Sequence, residues 1–229
     1  MKKLLIIITF ALLALIVFSA CNNSQSIKYL EMGGRWPGYE DSSALIEEAD
    51  VVFIGKIIDI SFAVLDRRSG QYVDEETEER ARRLNTLYSI EIISVYKGDV
   101  SKITHVKIDS GLKDFRVEEQ LKVMEEGKAY DREWGISVWN DHPNPQIGET
   151  YLFATTQSRN SSFLNIMNLT QSIYRLQDPM QRQGAGAEER DSYWISPYEI
   201  ISHFGEEAWN SFYSEWQRSD SIYRAQQAS

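Results

Sequence analysis

The strongest strand-like pattern lies at residues 49–62, A-D-V-V-F-I-G-K-I-I-D-I-S-F. Its first positions are continuously apolar, and the later ones alternate between apolar and polar. Two sets of side chains are expected to face opposite sides: Val52, Ile54, Ile58, Ile60 and Phe62 on one, Asp59 and Ser61 on the other. This pattern predicts a strand buried on both faces at its start and half solvated at its end. Gly55 lies where the pattern changes, and such a glycine often marks a bend, so we expect a curled sheet, as in a barrel or sandwich.

Further strands follow along the chain. Residues 87–97 keep one apolar phase from Tyr88 to Ile92 and continue in the other phase from Ile93, a one-residue slip that a β-bulge produces. Residues 103–109 alternate regularly and predict a third strand with one solvated face. Shorter apolar runs predict strands or half-strands at residues 134–139, 150–156, 163–169 and 173–176.

Two helices are predicted among these strands. The first, at residues 42–49, brings the chain to the opening strand. The second, at residues 115–126, has Val117, Leu121 and Met124 on one face, and a glycine follows it as a stop signal. Glu118 and Lys122 have the spacing of an ion pair on another face.

Residues 65–84, between the first two strands, carry many charges. Acidic residues precede arginines by four positions in three pairs: Glu76 with Arg80, Glu78 with Arg82 and Glu79 with Arg83. A solvated helical turn in a long hairpin loop accounts for this run, and a docking surface is the alternative. We assign no chemistry to it.

The N-terminus has the pattern of an export signal. Lys2 and Lys3 precede an apolar run at residues 4–18, which is short for a membrane span but typical of a secretory signal. F-S-A-C at residues 18–21 resembles the lipobox of bacterial lipoproteins, although Phe18 stands where leucine is usual. The resemblance implies cleavage after residue 20 and a diacylglycerol and palmitate-type lipid anchor on Cys21. An uncleaved signal anchor is the alternative, and both place the following chain outside the cytoplasm.

Charge and cysteine content narrow the possible partners. The net charge is −10, and without Lys2 and Lys3 it becomes 22 − 34 = −12. This balance argues against nucleic acid or anionic lipid headgroups as the main partner. Cys21 is the sole cysteine, so no disulfide can form within a monomer, and stability must come from the core.

Four segments share their order with a known group of proteins. They are S-S-A-L-I-E-E-A-D-V-V-F-I-G-K-I-I-D-I (42–60), Y-S-I-E-I-I-S-V-Y-K-G-D (88–99), I-T-H-V-K-I (103–108) and I-G-E-T-Y-L-F-A-T (147–155). This order resembles that of exported proteins of mainly Gram-positive bacteria, whose domains are similar to the tissue-inhibitor-of-metalloproteinase and netrin-like OB fold. The resemblance implies a mainly β, closed or partly open OB-like barrel with an inserted helix at residues 42–176. It implies little about function, and the inhibitor role does not transfer, because a lipidated Cys21 without a partner cysteine lacks the required devices.

The remaining chain is divided by composition. Residues 21–41 are interpreted as a tether, residues 177–192 as a linker or mobile loop, residues 193–218 as a C-terminal helical appendage and residues 219–229 as a frayed tail. The appendage carries an aromatic stripe at i, i+3, i+4 and i+7: Trp209, Phe212, Tyr213 and Trp216. We expect this stripe to pack on the barrel and close its open end, and the alternative is a binding surface for a protein or sugar.

No reactive set of residues is recognisable. His105, His142 and His203 lack a second ligand at metal-binding spacing, and neither a nucleophile motif nor a phosphate-binding loop is present. We therefore predict no catalytic residue, no metal and no cofactor. The expected function is a non-catalytic protein- or peptide-binding or assembly module, lipid-anchored to the outer face of the cytoplasmic membrane. The alternative is glycan or peptidoglycan binding through the barrel face and the C-terminal aromatics.

Overall fold

The computed structural model of the protein describes residues 27–32, 38–39, 42–129, 135–139, 145–158, 160–168, 171–175, 205–206, 210 and 214. Two α-helices and eight strands lie wholly within this part of the chain. In chain order they are β1 (Tyr29–Met32), α1 (Ser42–Glu48), β2 (Val51–Asp66), β3 (Arg82–Lys97), β4 (Ile103–Ile108), α2 (Val117–Glu126), β5 (Ile136–Trp139), β6 (Thr150–Gln157), β7 (Leu164–Ile166) and β8 (Ile173–Arg175).

Five of these strands form a closed barrel in the order β2-β3-β4-β7-β6, and β6 pairs back onto β2. The β4–β7 pair is parallel and the other barrel pairs are antiparallel. Helix α2 lies between the third and fourth barrel strands along the chain, as in an OB fold. The predicted mainly β, OB-like architecture is therefore confirmed. Strand β8 adds to β6 on the side opposite β2.

The inward-facing residues of β2 differ from the prediction. Val51, Phe53, Ile57 and Ile60 point into the barrel core, and the register shifts between Ile57 and Asp59. The extra residue is Ile58, which is 41% exposed. The proposed common face of residues 52, 54, 58, 60 and 62 is thus wrong, because this bulge reverses the phase that strict alternation assumes.

Val52 and Ile54 instead lie outside the barrel and pack with Leu45 of α1. The register of the β2–β3 pair also shifts between Ile54 and Gly55, the position where the glycine predicts a bend or bulge. A Cβ at Gly55 would lie 2.3 Å from Cγ2 of Ile90 on β3, so close strand approach requires glycine there.

The bulge predicted in β3 is also confirmed. Gly55 pairs with Ile92 and Ile54 pairs with Ser94, which leaves Ile93 as the additional residue. The neighbouring K-G-D sequence has a structural explanation. Lys97 Nζ donates to the carbonyl oxygens of Ile46 and Glu47 at 3.2 and 2.6 Å, and so caps the C-terminus of α1.

Helix α2 begins two residues later than predicted and buries a different face. Gln120 and Met124 are buried, whereas Leu121 is 39% exposed. Lys122 pairs with Glu126 at 3.8 Å. The polar Gln120 replaces Leu121 on the inner face because its amide binds backbone groups of the preceding loop.

The charged hairpin loop contains one 3-10 turn, Glu79–Ala81, in place of a longer helical turn. Glu78 forms ion pairs with Arg68 at 3.2 Å and with Arg80 at 2.7 Å. The guanidinium of Arg82 donates to backbone carbonyls, including Gly127 O. The predicted Glu78–Arg82 pair is therefore wrong, because the turn is too short to bring i and i+4 side chains together.

Strand β1 lies within the segment interpreted as a tether. It pairs in parallel with β5, from Tyr29 opposite Ile136 to Met32 opposite Trp139. A Cβ at Gly135 (φ +115°) would lie 2.0 Å from Lys28 O, so this pairing depends on a glycine. Part of residues 21–41 is therefore folded against the domain.

Several predicted segments lie outside the described residues: the signal peptide (1–20), Cys21, the linker (177–192) and the tail (219–229). Of the appendage, Glu206, Asn210 and Ser214 are helical and exposed. The helices in the described part of the chain fall short of the length and hydropathy that a membrane span needs.

Candidate functional site

A pocket of about 210 Å³ opens beside the start of α2. Its lining residues are Ile60, Leu112, Lys113, Asp114, Phe115, Pro145 and Gln146. One wall is the loop that joins β4 to α2, and the other is the turn that leads into β6. The volume is below the roughly 300–1,000 Å³ of pockets for drug-sized ligands, and it suits a single side chain.

The β4–α2 loop has an unusual backbone. Asp114 (φ 57°) and Arg116 (φ 43°) are both in the left-handed region, which disfavours residues other than glycine. Such conformations cost on the order of 1–3 kcal/mol each and persist where surrounding contacts enforce them.

Gln120 supplies the first of these contacts. Its fully buried side-chain oxygen accepts from Leu112 N at 3.0 Å, and its amide nitrogen donates to Leu112 O at 2.8 Å and to Phe115 O. One side chain thus binds both ends of the loop, so the first turns of α2 determine the shape of this pocket wall.

Tyr29 of β1 supplies the second contact. Its hydroxyl donates to Asp114 Oδ1 and accepts from Asp114 N, both at 3.0 Å. Burial raises the pKa of the Tyr29 hydroxyl. The hydrogen bond from the Asp114 amide lowers this pKa, whereas the hydrogen bond to the Asp114 carboxylate and the charge of that group raise it, and the net shift is upward. The hydroxyl is therefore a stable donor at neutral pH, and it ties the N-terminal strand to the pocket.

Arg116 joins the same loop to the barrel. Its Nη1 donates to Ile60 O at 2.8 Å and lies 4.0 Å from Asp59 Oδ1 and 3.8 Å from Glu119 Oε2. The guanidinium also lies over the Phe115 ring, with its carbon 5.1 Å from the ring centre. These contacts hold Phe115 at the pocket while the arginine charge faces carboxylates.

The opposite wall is held by Tyr151 of β6. This buried hydroxyl accepts from Gln146 N at 3.0 Å and donates to the Glu149 carboxylate. The turn also pairs with β2, where Gly148 N donates to Ile57 O at 2.8 Å and Ile57 N donates to Glu149 O at 3.0 Å. Both pocket walls are therefore braced by buried polar side chains.

The chemistry of the pocket favours binding. Ile60, Leu112, Phe115 and Pro145 provide an apolar lining, and Lys113 and Asp114 are its ionisable residues. Ile58 and Ile147, on adjoining segments, are 41% and 42% exposed. A search of the described residues found no group of three or more side chains able to hold a metal ion.

A second surface lies on the outside of the barrel, near the charged hairpin loop. Phe163 is buried against Ala63, Leu65 and Leu87, and Tyr72, which is 63% exposed, meets its ring edge-on at 5.8 Å. His105 lies 6.4 Å from the same ring and shares a hydrogen bond with Ser89. We call Tyr72, Phe163 and His105 the aromatic face.

The predicted site residues Cys21, Trp209, Phe212, Tyr213 and Trp216 lie outside the described residues, as do His142 and His203. The pocket was not predicted from the sequence. Gln120 gave a usable signal, since a glutamine beside the apolar positions of an amphipathic helix needs hydrogen-bond partners if it is buried. The left-handed residues gave none, because arginine is not a typical left-handed residue.

Comparison with known proteins gave no match: no protein-family model fits the chain, and no curated protein is detectably similar to it in sequence. The roles of the pocket residues therefore rest on their contacts, and the OB-like strand order rests on the observed pairing.

Proposed function

We propose that the protein is a non-catalytic binding or assembly module of the cell envelope, and that its pocket accepts one side chain of a protein or peptide partner. The observation that carries this proposal is the double bracing of the pocket walls by Gln120 and Tyr151. A preformed site avoids part of the ordering cost of association, so side chains held in this way favour recognition.

The surroundings of the pocket support a peptide partner. The apolar lining would cover an aliphatic or aromatic side chain. Ile58 and Ile147, which lie close in sequence to the lining residues Ile60 and Gln146, are exposed apolar side chains. Aromatic and aliphatic anchors that fill such pockets contribute most of the free energy at many protein interfaces.

The location is proposed from the N-terminal sequence. Lipidation of Cys21 would anchor the mature chain to the outer face of the cytoplasmic membrane. In cells, we expect globomycin-sensitive processing of the native chain and loss of membrane attachment in Cys21→Ser. An unaltered processing pattern in the variant would refute lipidation.

Binding is tested with a Cys21→Ser mature chain and a random peptide library. Selected peptides are titrated by fluorescence polarisation against the native chain and Phe115→Ala. We expect at least a tenfold loss of affinity in Phe115→Ala, because it removes part of the apolar lining. Leu121→Ala is the matched control, since Leu121 is exposed and does not line the pocket. Failure to select peptides, or equal affinities in all variants, would refute the proposal.

Glycan binding is the second candidate function, and the aromatic face supports it. An exposed tyrosine such as Tyr72 offers a ring on which a sugar can stack, and His105 and Ser89 offer polar atoms beside it. The C-terminal aromatics Trp209, Phe212, Tyr213 and Trp216 are the other residues proposed for sugar stacking. Titration of cell-wall fragments against Tyr72→Ala tests the candidate, which predicts a several-fold weaker interaction than that of the native chain.

A further inference from the structure

The pocket is connected to the N-terminal segment by a direct contact. Tyr29 is the first residue of β1, and its hydroxyl binds Asp114 in the pocket wall. Tyr29 follows Cys21 by 29 − 21 = 8 residues. The pocket wall therefore contacts a residue that follows the proposed lipid anchor by eight positions.

This spacing limits how far the pocket can be from the bilayer. Eight extended residues span at most about 28 Å, at roughly 3.3–3.6 Å per residue. Pairing of β1 with β5 prevents the tether from lengthening into residues 29–32.

We infer that the pocket binds the membrane-proximal extracytoplasmic segment of a protein embedded in the same membrane, with a large apolar side chain of that segment in the pocket. The inference rests on the proposed function and on lipidation of Cys21, and it specifies the class of partner. A short tether concentrates the pocket in the layer where such segments leave the bilayer.

Charge favours a protein segment over the lipid headgroups in that layer. Around the pocket, the carboxylates of Asp59, Asp114, Glu119 and Glu149 accompany the cations Lys113 and Arg116. The Arg116 guanidinium already binds Ile60 O. Since the whole chain also carries −10, an anionic lipid surface would repel it, whereas a neutral or basic segment would not.

The inference predicts a dependence on tether length. Inserting 24 Gly/Ser residues between Ser26 and Ile27 would extend the spacing from 8 to 32 residues. A fourfold longer flexible chain lowers the effective concentration at a fixed nearby site about eightfold, by the −3/2 power of length. The insertion precedes β1, so the β1–β5 pairs and the Tyr29–Asp114 contact are retained.

The test uses the full-length protein in intact cells, with a photoactivatable phenylalanine analogue in place of Gln146. Gln146 is exposed and lines the pocket. The expected product is an adduct with a membrane protein, mapped by mass spectrometry next to a membrane span of that protein. The long-tether form is expected to give about eightfold less of it at equal abundance. The analogue at Ile103, exposed but outside the pocket lining, is the matched control.

The outcomes separate the inference from the proposed function. An adduct whose yield does not change with tether length, or an adduct with lipid, a wall protein or a secreted protein, would overturn the inference. Adducts from the analogue at Ile103 that depend equally on tether length would also overturn it. So would a Cys21→Ser variant that stays attached to the membrane. Absence of any protein adduct from Gln146, together with failure of the peptide selection, would overturn the proposed function itself. Urea unfolding of the long-tether chain verifies that it folds as the native chain does.

Discussion

Replacing Gln120 with methionine should loosen the pocket wall and destabilise the fold. Methionine has a similar length and fills the space, but it cannot hydrogen bond with Leu112 N, Leu112 O or Phe115 O. Leu112 is buried, so its amide and carbonyl groups would lose a partner away from bulk water. Phe115 is half-buried, and water can replace part of its lost bond.

The magnitude follows from these burials. A buried polar group that loses its partner costs about 1–3 kcal/mol. Because the loop can relax, we take a cost in the lower half of this range for each of the two Leu112 groups. Together they should lower the free energy of unfolding by about 3 kcal/mol. At a urea m-value of about 2 kcal/mol/M, the midpoint of unfolding would fall by about 1.5 M.

Urea unfolding followed by tryptophan fluorescence measures this change, and hydrogen exchange reports the Leu112 amide. Glu125→Gln is the matched control, because Glu125 is exposed on the same helix and should shift stability by no more than about 0.5 kcal/mol. If the urea midpoint of Gln120→Met equals that of the control, the Gln120 hydrogen bonds do not stabilise the loop. Unchanged exchange of the Leu112 amide would show the same.

Three further outcomes are expected. Gly55→Ala should lower stability by about 1–3 kcal/mol in thermal unfolding, since its Cβ would lie 2.3 Å from a side-chain carbon of β3, whereas Gly38→Ala, with nothing within 4 Å, should not. Lys97→Met removes two hydrogen bonds to carbonyls at the end of α1 and should cost about 1–2 kcal/mol in urea unfolding. Hydrogen bonds from Thr77 hold the pKa of Asp74 below its ordinary value. The stability that these bonds contribute is therefore fully present at pH values above the ordinary pKa of aspartate. It is lost as the pH falls through the lower pKa of the folded state. An NMR titration should show this, with the midpoint moving up in Thr77→Val.

Each of the three has a contradicting result. Equal melting temperatures for the two glycine variants would show that close approach does not require Gly55. An unchanged midpoint in Lys97→Met would show that the capping bonds are exchanged with water at no cost. An unshifted Asp74 titration in Thr77→Val would exclude the hydrogen bond from the Thr77 hydroxyl as a cause of the lowered pKa.

Local patterns predicted the barrel well. Period-two alternation identified the long strands, and the phase change at Ile93 predicted a bulge that the pairing confirms. The glycine at position 55 predicted an irregularity, and the register of the β2–β3 pair shifts there. These features depend on residues that are near each other in sequence, so their pattern carries the information.

The inner face of β2 was not predictable in the same way. Another bulge, at Ile58, lies in the apolar pair Ile57–Ile58, and either member of this pair fits an inward position by its sequence alone. The residue that is left out of the strand pairing is set by the partner strand and by the turn at Gly148, whose amide donates to Ile57 O. The pairing of β1 with β5 joins segments about a hundred residues apart, and no local pattern in the polar N-terminal segment indicates it.

By itself, the sequence determined a mainly β fold with an inserted helix, because strand and helix periods and turn residues are local properties. The OB-like order of the strands was implied by the resemblance of four segments to a known group of exported proteins. Tertiary structure alone decided the pocket. Its walls are the β4–α2 loop and the turn before β6, which side-chain hydrogen bonds of Tyr29, Gln120 and Tyr151 hold in place. The lining residues at 112–115 and 145–146 are about 30 positions apart in the sequence, and only the folded barrel places them side by side.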